Sequence, residues 1–282
     1  MKIIKNILIQ GKHNKPIITD FFFKDDAIKK PIIIFCHGYK GYKDWGAWNL
    51  MAEEFVKNNF FFVKFNFSHN GGTVENPIDF PDLEAFSNNN YMIELDDLES
   101  VINYILNDKT IAKNSDNRHI NLIGHSRGGG IVSLKAYHKS SISSITSWNG
   151  ISDIEARFPK GEALKQWEKN DIGYVENSRT KQQMPNKFQV YENFIAHKTH
   201  LHIKTAIENI KIPHLIVQGT EDNVVLESEA IDMHHWNPKS TLELIKNMNH
   251  GLGNTQPWPY EKMPNDLAIV VKKTINFIKK YV

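Results

Sequence analysis

Short apolar runs alternate with segments of helical spacing along most of the chain. The apolar runs predict strands at Ile3–Ile9, Ile17–Phe23, Ile32–Cys36, Phe60–Phe67, His119–Ile123, Ile142–Trp148, Ile212–Gln218 and Thr241–Lys246. Apolar residues three and four positions apart predict helices at Trp45–Asn58, Tyr91–Asn107, Gly128–His138, Glu227–His235 and Asp266–Lys279. Strands that alternate with helices form a mostly parallel sheet covered on both faces, so the pattern predicts an α/β fold.

Two departures from this alternation shape the predicted fold. The first two strands are separated by a Gly/Asn/Pro turn, which predicts an antiparallel start. Residues 152–209 are polar and carry scattered aromatic side chains, such as Trp167 and Tyr174. We interpret 152–209 as a partly helical insertion that forms a lid within a single domain spanning 1–282. The alternative is a surface decoration with a small core of its own.

The composition is that of an ordinary globular protein. The chain has 282 residues, of which 40% are hydrophobic and 23% charged, and a formal net charge of +2. This charge gives no general argument for binding nucleic acid or an anionic membrane, and no apolar window is long enough to span a bilayer. The N-terminus lacks a signal-peptide core, and the single cysteine, Cys36, excludes an internal disulfide. We therefore expect a cytoplasmic protein with a small-molecule partner.

Ser126 lies in the sequence GHSRG, between a predicted strand and a predicted helix. This strand–turn–helix context is the one that a nucleophile elbow requires, although the five-residue pattern alone is short enough to arise by chance. Side chains at Gly124 and Gly128 would collide with neighbouring backbone in such a turn. The turn would present the Ser126 hydroxyl at the N-terminus of the helix, where free N–H groups favour negative charge.

A serine hydroxyl needs a general base, and the base needs an orienting carboxylate. Glu221 and Asp222 follow the strand Ile212–Gln218, and His250 follows Thr241–Lys246. The carboxyl ends of parallel strands lie at one edge of the sheet, so these residues can meet Ser126 there. The order Ser, Asp, His is that of the elbow-containing hydrolases. The sequence therefore predicts a catalytic triad of Ser126, His250 and one of the two acids, Glu221 or Asp222.

The motifs GHSRGG, GTEDNVV and NHGLG together resemble those of the α/β-hydrolase superfamily. The stretch FCHGYKGYKDWG resembles the oxyanion loop of its cinnamoyl/feruloyl-esterase and dienelactone-hydrolase-like branch, and the likeness extends over nearly the whole chain. It implies an α/β-hydrolase fold with a lid after Trp148, Asp222 as the acid, and the backbone N–H groups of Tyr39 and Arg127 as oxyanion donors. The sequence departs from many relatives at Arg127, where they carry Met or a small residue.

These features together predict a serine hydrolase that cleaves small-molecule carboxylic esters through an acyl-enzyme, without a metal or organic cofactor. A serine peptidase, an acyl-thioester hydrolase and a non-catalytic ligand-binding relative are the alternatives. His197, His200 and His202 could ligate zinc, but no obvious carboxylate accompanies them. The Arg127 side chain could meet an acidic substrate group or pair with a carboxylate near the lid. An exposed sheet edge or the lid could mediate a homodimer.

Overall fold

The computed structural model describes Met1–Val282 and contains one eight-stranded sheet. Its strands are β1 Lys2–Gln10, β2 Pro16–Phe23, β3 Lys30–Cys36, β4 Phe61–Phe65, β5 Ser115–His125, β6 Ile142–Trp148, β9 His214–Gly219 and β10 Thr241–Ile245. They are arranged in the order β1-β2-β4-β3-β5-β6-β9-β10. β2 pairs antiparallel with both β1 and β4, and the remaining pairs are parallel. The predicted antiparallel start and mostly parallel sheet are confirmed.

Nine α-helices accompany the sheet. They are α1 Trp48–Lys57, α2 Leu83–Ser87, α3 Tyr91–Asn107, α4 Arg127–His138, α5 Glu162–Asn170, α6 Gln189–Ala196, α7 Ile203–Asn209, α8 Glu227–Trp236 and α9 Asn265–Ile278. The apolar side chains of α1 and α9 share one buried cluster, and those of α3, α4, α7 and α8 share another. No helix is long and apolar enough to cross a membrane.

The central strand β3 explains why the two clusters lie on opposite faces of the sheet. Successive side chains of a strand point to opposite faces. Ile32 and Ile34 accordingly belong to the α3–α4 cluster, whereas Ile33 and Phe35 belong to the α1–α9 cluster, and all four are fully buried. A strand covered on both sides needs a continuous apolar run, which is the pattern that the sequence carries here.

The insertion 152–209 contains helices and a β-hairpin. A short 3₁₀-helix at Glu155–Arg157 precedes α5, and the antiparallel hairpin β7 Ile172–Glu176 and β8 Gln183–Lys187 precedes α6. An aromatic cluster joins these pieces, since the ring of Phe158 lies 5.3 Å from that of Phe194 and 6.2 Å from that of Trp167. The last helix of the insertion, α7, packs on α4 and helps to cover the sheet. The insertion is thus continuous with the core at its end.

Three buried charged side chains and the half-buried Asp44 form a closed network beside β2 and β4. Asp20 accepts hydrogen bonds from Lys43 at 2.8 Å and from Lys64 at 2.9 Å, and Asp44 accepts from both lysines at 2.5 Å. Asp20, Lys43 and Lys64 are at most 1% exposed. Burial alone would raise the pKa of Asp44, but Lys64 and Lys43 lower it to about 2. The network attaches the loop after β3 to the sheet.

The first helix begins after Ala47, three residues later than the predicted start at Trp45, and has no side-chain cap. Asp44, which precedes this helix, instead pairs with two lysines, one of which comes from a strand about twenty residues away. The helix α3 has a side-chain cap, since Asn90 accepts a hydrogen bond from Ile93 N.

Asp97 on α3 is a second buried acid next to the loop after β4. Its Oδ2 accepts a hydrogen bond from Ser68 N at 2.7 Å, and its Oδ1 has no hydrogen-bond partner. Burial raises the pKa of Asp97 to about 7. The preceding residue of the same loop, Phe67, donates its N–H to His37 Nε2 at 3.3 Å. Asp97 thus supports a segment that contacts the loop after β3.

Replacement of Lys64 by methionine should destabilise the fold strongly. It leaves two buried aspartates facing one lysine, and breaking a buried ion pair by removing one partner costs about 3–5 kcal/mol. The free energy of unfolding in urea should fall by that amount in Lys64→Met. The matched control is Lys57→Met on α1, where an exposed lysine lies 3.8 Å from Glu54 and the loss should stay below about 1 kcal/mol. Equal losses in the two variants would contradict the importance of the network.

Asp97 should make the protein less stable as the pH rises from about 4 to about 7. Over this range the carboxyl ionises in the unfolded chain, with an ordinary pKa of 3.8, but stays protonated in the folded protein. The free energy of unfolding of Asp97→Asn minus that of wild type should therefore rise by up to about 1.4 kcal/mol per pH unit in this window. The control is Asp96→Asn, because Lys12 and His13 lower the pKa of Asp96 despite its partial burial. A rise in the control as well, or none in Asp97→Asn, would contradict this assignment.

Candidate active site

The sharp turn at Ser126 joins β5 to α4. Ser126 has φ +56° and ψ −120°, a conformation that residues other than glycine rarely adopt. A Cβ atom at position 124 would lie 2.1 Å from the carbonyl oxygen of Gly128, and one at position 128 would lie 2.3 Å from the carbonyl oxygen of Cys36. The collisions predicted for these two positions are therefore confirmed. The turn brings the start of α4 directly against the ends of β3 and β5.

His250 lies within hydrogen-bond distance of both Ser126 and Asp222. Ser126 Oγ is 3.1 Å from His250 Nε2, and His250 Nδ1 is 2.7 Å from Asp222 Oδ2. The three residues come from the segments that follow β5, β10 and β9. Glu221 is exposed, and no hydrogen bond joins it to His250. The structure thus brings together the three predicted side chains and leaves the alternative acid outside.

The environment of Asp222 determines which nitrogen of His250 carries a proton. The Asp222 side chain is fully buried, and its Oδ1 accepts hydrogen bonds from Val224 N at 2.8 Å and Val225 N at 2.9 Å. Burial would raise the pKa of Asp222, but these bonds and the one to His250 lower it. An ionised carboxylate only accepts hydrogen bonds, so His250 Nδ1 must donate. A neutral His250 therefore presents an unprotonated Nε2 to the Ser126 hydroxyl.

Two side chains hold the backbone of His250. His125 Nε2 donates to the His250 carbonyl oxygen at 2.8 Å, and burial lowers the pKa of His125 to about 3, so its ring stays neutral. Asn149 Nδ2 donates to the carbonyl oxygens of Asn249 and His250 at 3.0 and 3.1 Å, while its Oδ1 accepts from Gly219 N at 2.8 Å. Sequence reasoning missed Asn149. The available signal was a polar residue placed immediately after the predicted strand Ile142–Trp148.

The two predicted oxyanion donors lie on segments that flank Ser126. The backbone N–H of Tyr39, in the loop after β3, makes no hydrogen bond within the protein. Arg127 is the first residue of α4, and the first N–H groups of a helix have no partner inside it. The loop approaches the serine closely, since a Cβ atom at position 38 would lie 2.9 Å from Ser126 Cβ. Two N–H groups are therefore available next to the serine.

The Arg127 side chain was expected either to meet an acidic substrate group or to pair with a carboxylate near the lid, and it pairs with a carboxylate. Arg127 Nη1 donates to Glu94 Oε1 at 3.1 Å, although Glu94 belongs to α3 and not to the insertion. The guanidinium carbon lies 4.5 Å from the ring centre of Tyr39 and 4.6 Å from that of Tyr91. Tyr39 in turn donates its hydroxyl to Asn186 Oδ1 in β8 at 2.9 Å. The positive charge of Arg127 is thus already compensated within the protein.

A cavity of about 440 Å³ opens above Ser126 and Arg127. Most of its lining is hydrophobic, and much of it comes from the insertion, including Phe158, Trp167, Tyr174, Val175 and Val190. Val224 and Val225, which follow Asp222, line the cavity next to the serine. Ligand cavities in proteins typically combine apolar walls with a few polar groups. Here the polar lining residues include Ser126 and Arg127, and most of the others are apolar.

The three histidines of the insertion do not converge on a common point. His197 Nδ1 donates to Asn193 O within α6, and His202 Nδ1 accepts from Thr205 N at the start of α7. The ring of His200 stacks on that of His138 with 3.8 Å between centres. No group of three or more His, Cys, Asp or Glu side chains is arranged to hold a metal ion. The zinc alternative therefore has no support in the geometry.

No protein-family model and no curated protein matches the sequence, but solved structures match the fold. Est1E from Butyrivibrio proteoclasticus, with ferulic acid bound, has a TM-score of 0.73 at 16% identity, covering 98% of each chain. The α/β hydrolase GrgF from Penicillium sp. sh18 has a TM-score of 0.70 at 13% identity, covering 100% of this chain and 99% of that one. A puromycin-hydrolyzing peptidase from Mycobacterium tuberculosis has a TM-score of 0.64 at 13% identity, covering 98% of this chain but only 38% of that one. The chain therefore has the α/β-hydrolase fold that its motifs predicted.

Proposed function

We propose that this protein is a serine hydrolase that cleaves carboxylic esters through an acyl-enzyme. The observation that carries the proposal is the continuous hydrogen-bonded series from Asp222 through His250 to the hydroxyl of Ser126, which lines a largely apolar cavity. Solved structures of the same fold include Est1E with ferulic acid bound and an esterase domain from Rhodothermus marinus, which supports this class of reaction.

In the proposed reaction, Ser126 Oγ attacks the ester carbonyl carbon while His250 Nε2 accepts the hydroxyl proton. The carbonyl oxygen becomes an oxyanion and accepts hydrogen bonds from the Tyr39 and Arg127 N–H groups. His250 then donates its proton to the leaving alkoxide oxygen, and the alcohol departs. A water molecule attacks the acyl-enzyme in the same way, with His250 again as the base, and releases the acid. Asp222 holds the histidine tautomer and stabilises its protonated form.

The cavity favours an uncharged acyl group with apolar or aromatic surface. Trp167, Phe158 and Val190 provide apolar walls. Both cations of the lining are already paired, Arg127 with Glu94 and Arg157 with Glu229. An acyl group that carries its own charge would lose hydration without gaining a free counter-charge. The triad itself does not distinguish an ester from a thioester or an amide. Esters, thioesters and amides of one acyl group should therefore be compared in the same assay.

Replacement of Ser126 by alanine should abolish hydrolysis of p-nitrophenyl esters and labelling by a fluorophosphonate. Removal of a triad nucleophile typically lowers kcat by about 10⁶-fold. The matched control is Ser68→Ala, because Ser68 Oγ also lies 2.8 Å from a histidine nitrogen, that of His69, but away from the cavity. Ser68→Ala should still be labelled at Ser126. Hydrolysis that survives Ser126→Ala would contradict the proposal, and a folded wild-type protein that is never labelled would favour a non-catalytic ligand-binding role.

Replacement of Trp167 by alanine should weaken catalysis on aryl-bearing esters more than on acetyl esters. Burial of an aromatic group contributes about 1.5–3 kcal/mol, so kcat/KM for a phenylpropionyl ester should fall by about tenfold or more. The acetyl ester should change by less than about threefold. Trp258→Ala is the control, because Trp258 also donates its indole N–H to a backbone carbonyl but lies outside the cavity. Equal losses on both esters in Trp167→Ala would remove its assigned role in acyl selectivity.

A further inference from the structure

The side chains of the two proposed oxyanion donors touch each other. Tyr39 and Arg127 would each supply a backbone N–H, and the Arg127 guanidinium carbon lies 4.5 Å from the centre of the Tyr39 ring. The same guanidinium carbon lies 4.6 Å from the centre of the Tyr91 ring. The cation thus contacts two aromatic rings directly beside Ser126. The inference drawn from this contact rests on the proposed function.

Arg127 is the fixed member of the contact. It lies in the first turn of α4, and its guanidinium pairs at 3.1 Å with Glu94 on α3. The side chains of Arg127 and Glu94 are 15% and 4% exposed, and Glu94 Oε1 also accepts from Asn89 Nδ2 at 2.7 Å. A cation–π contact is worth about 2 kcal/mol or more when it is shielded from water. Two core helices therefore hold the cation in one place.

Tyr39 is the member that needs to be held. It lies in a loop, and its own N–H makes no hydrogen bond in the protein. The turn continues through Lys40, which has φ +55°, and Gly41 N donates to Gly38 O. The Tyr39 ring contacts Arg127 and Phe86, and its hydroxyl donates to Asn186. One backbone hydrogen bond closes the turn, and none involves the Tyr39 N–H itself. The orientation of the Tyr39 peptide therefore also depends on the contacts of its side chain.

We propose that the stack of Tyr39 on Arg127 is a positioning contact, which keeps the two oxyanion-donating N–H groups at a fixed separation. Arg127 and Tyr39 act as positioning residues through their side chains, in addition to the role proposed for their backbone. Loss of a single oxyanion donor lowers kcat by about 10²–10³-fold. Loss of the contact between Tyr39 and Arg127 displaces a donor without deleting it. We therefore expect kcat to fall by an amount toward the lower end of this range.

The competing role for Arg127 is direct recognition of an anionic substrate group. Arg127 lines the cavity, so a carboxylate on the acyl group could reach it. Its charge, however, is already compensated by Glu94, and its guanidinium lies against two tyrosine rings. These two roles predict different kinetics. A positioning residue affects kcat on every substrate, whereas a binding residue affects KM on anionic substrates alone.

The test compares Tyr39→Leu, Tyr39→Phe and Arg127→Met on a neutral ester and on an ester whose acyl group carries a carboxylate. Tyr39→Leu removes the ring but keeps the backbone N–H, and it should lower kcat by about 10–100-fold on both esters with KM changed less than about threefold. Tyr39→Phe keeps the ring, so it should recover most of the kcat lost in Tyr39→Leu. Binding of phenylboronic acid, whose tetrahedral adduct with serine occupies the oxyanion site, should weaken in parallel with kcat.

Arg127→Met leaves the buried Glu94 without a counter-charge. The double variant Arg127→Met/Glu94→Gln therefore replaces the single variant if the single variant does not fold. Either variant should lower kcat about as much as Tyr39→Leu, on both esters. The positioning role is overturned if kcat is unchanged in Tyr39→Leu, if Tyr39→Phe gives no recovery, or if Arg127→Met raises KM only for the carboxylate-bearing ester. These results would leave the proposed function intact, provided that the wild-type protein hydrolyses esters and Ser126→Ala does not.

Discussion

The close packing of α4 against β3 and β5 is the constraint on which the candidate site depends. Gly124 and Gly128 allow the start of the helix to lie where any side chain would meet backbone atoms within 2.1–2.3 Å. Ser126, between them, takes a positive φ that its surroundings must compensate, because such backbone conformations cost of order 1–3 kcal/mol. The serine hydroxyl and the first N–H of α4 therefore emerge at the same point. The remaining groups of the site have only to be brought to that point.

The loop after β3 is brought there by contacts at both of its ends. Near its start, His37 donates from Nδ1 to Gly38 O at 2.9 Å and accepts at Nε2 from Phe67 N. Burial lowers the pKa of His37 to about 4, so the ring stays neutral and these two bonds remain compatible. Past its middle, Lys43 and Asp44 enter the buried ionic network with β2 and β4. Tyr39 lies between these two attachments, and its side chain contacts Arg127, Phe86 and Asn186.

Much of the fold and of the candidate site follows from local sequence patterns. The helix Tyr91–Asn107 and the strand Ile142–Trp148 were predicted with their observed bounds. The helix carries apolar residues at helical spacing, and the strand carries β-branched and aromatic residues between polar segments. Ser126, Asp222 and His250 could be placed because each directly follows its own strand, and the ends of parallel strands share one edge of the sheet. Local pattern and chain order were sufficient for these features.

The features that escaped prediction depend on partners far apart in the sequence. The hairpin of β7 and β8 has mostly exposed or half-buried residues, so it lacks the apolar alternation that marks a strand. The partner of Arg127 is Glu94, thirty-three residues earlier on another helix, and the sequence suggested a carboxylate near the insertion instead. Lys64 interrupts an otherwise apolar strand, and it was predicted simply as one residue of that strand. A lysine in a fully buried strand requires counter-charges, which Asp20 and Asp44 provide. That mismatch was the signal for the ionic network.

The cavity and the candidate triad are built from different parts of the chain, and this separation bears on specificity. The groups proposed to react lie on loops attached to the sheet and are held by buried hydrogen bonds, whereas the cavity walls come largely from residues 152–209. Changes in Phe158 or Trp167 can therefore alter the shape of the cavity without moving Ser126 or His250. Asn186 is the exception, because its side chain accepts from Tyr39 and its backbone carbonyl accepts from Trp167. A change of Asn186 itself would therefore affect both the wall and the loop that carries Tyr39, so the proposed function links selectivity and rate at this one position.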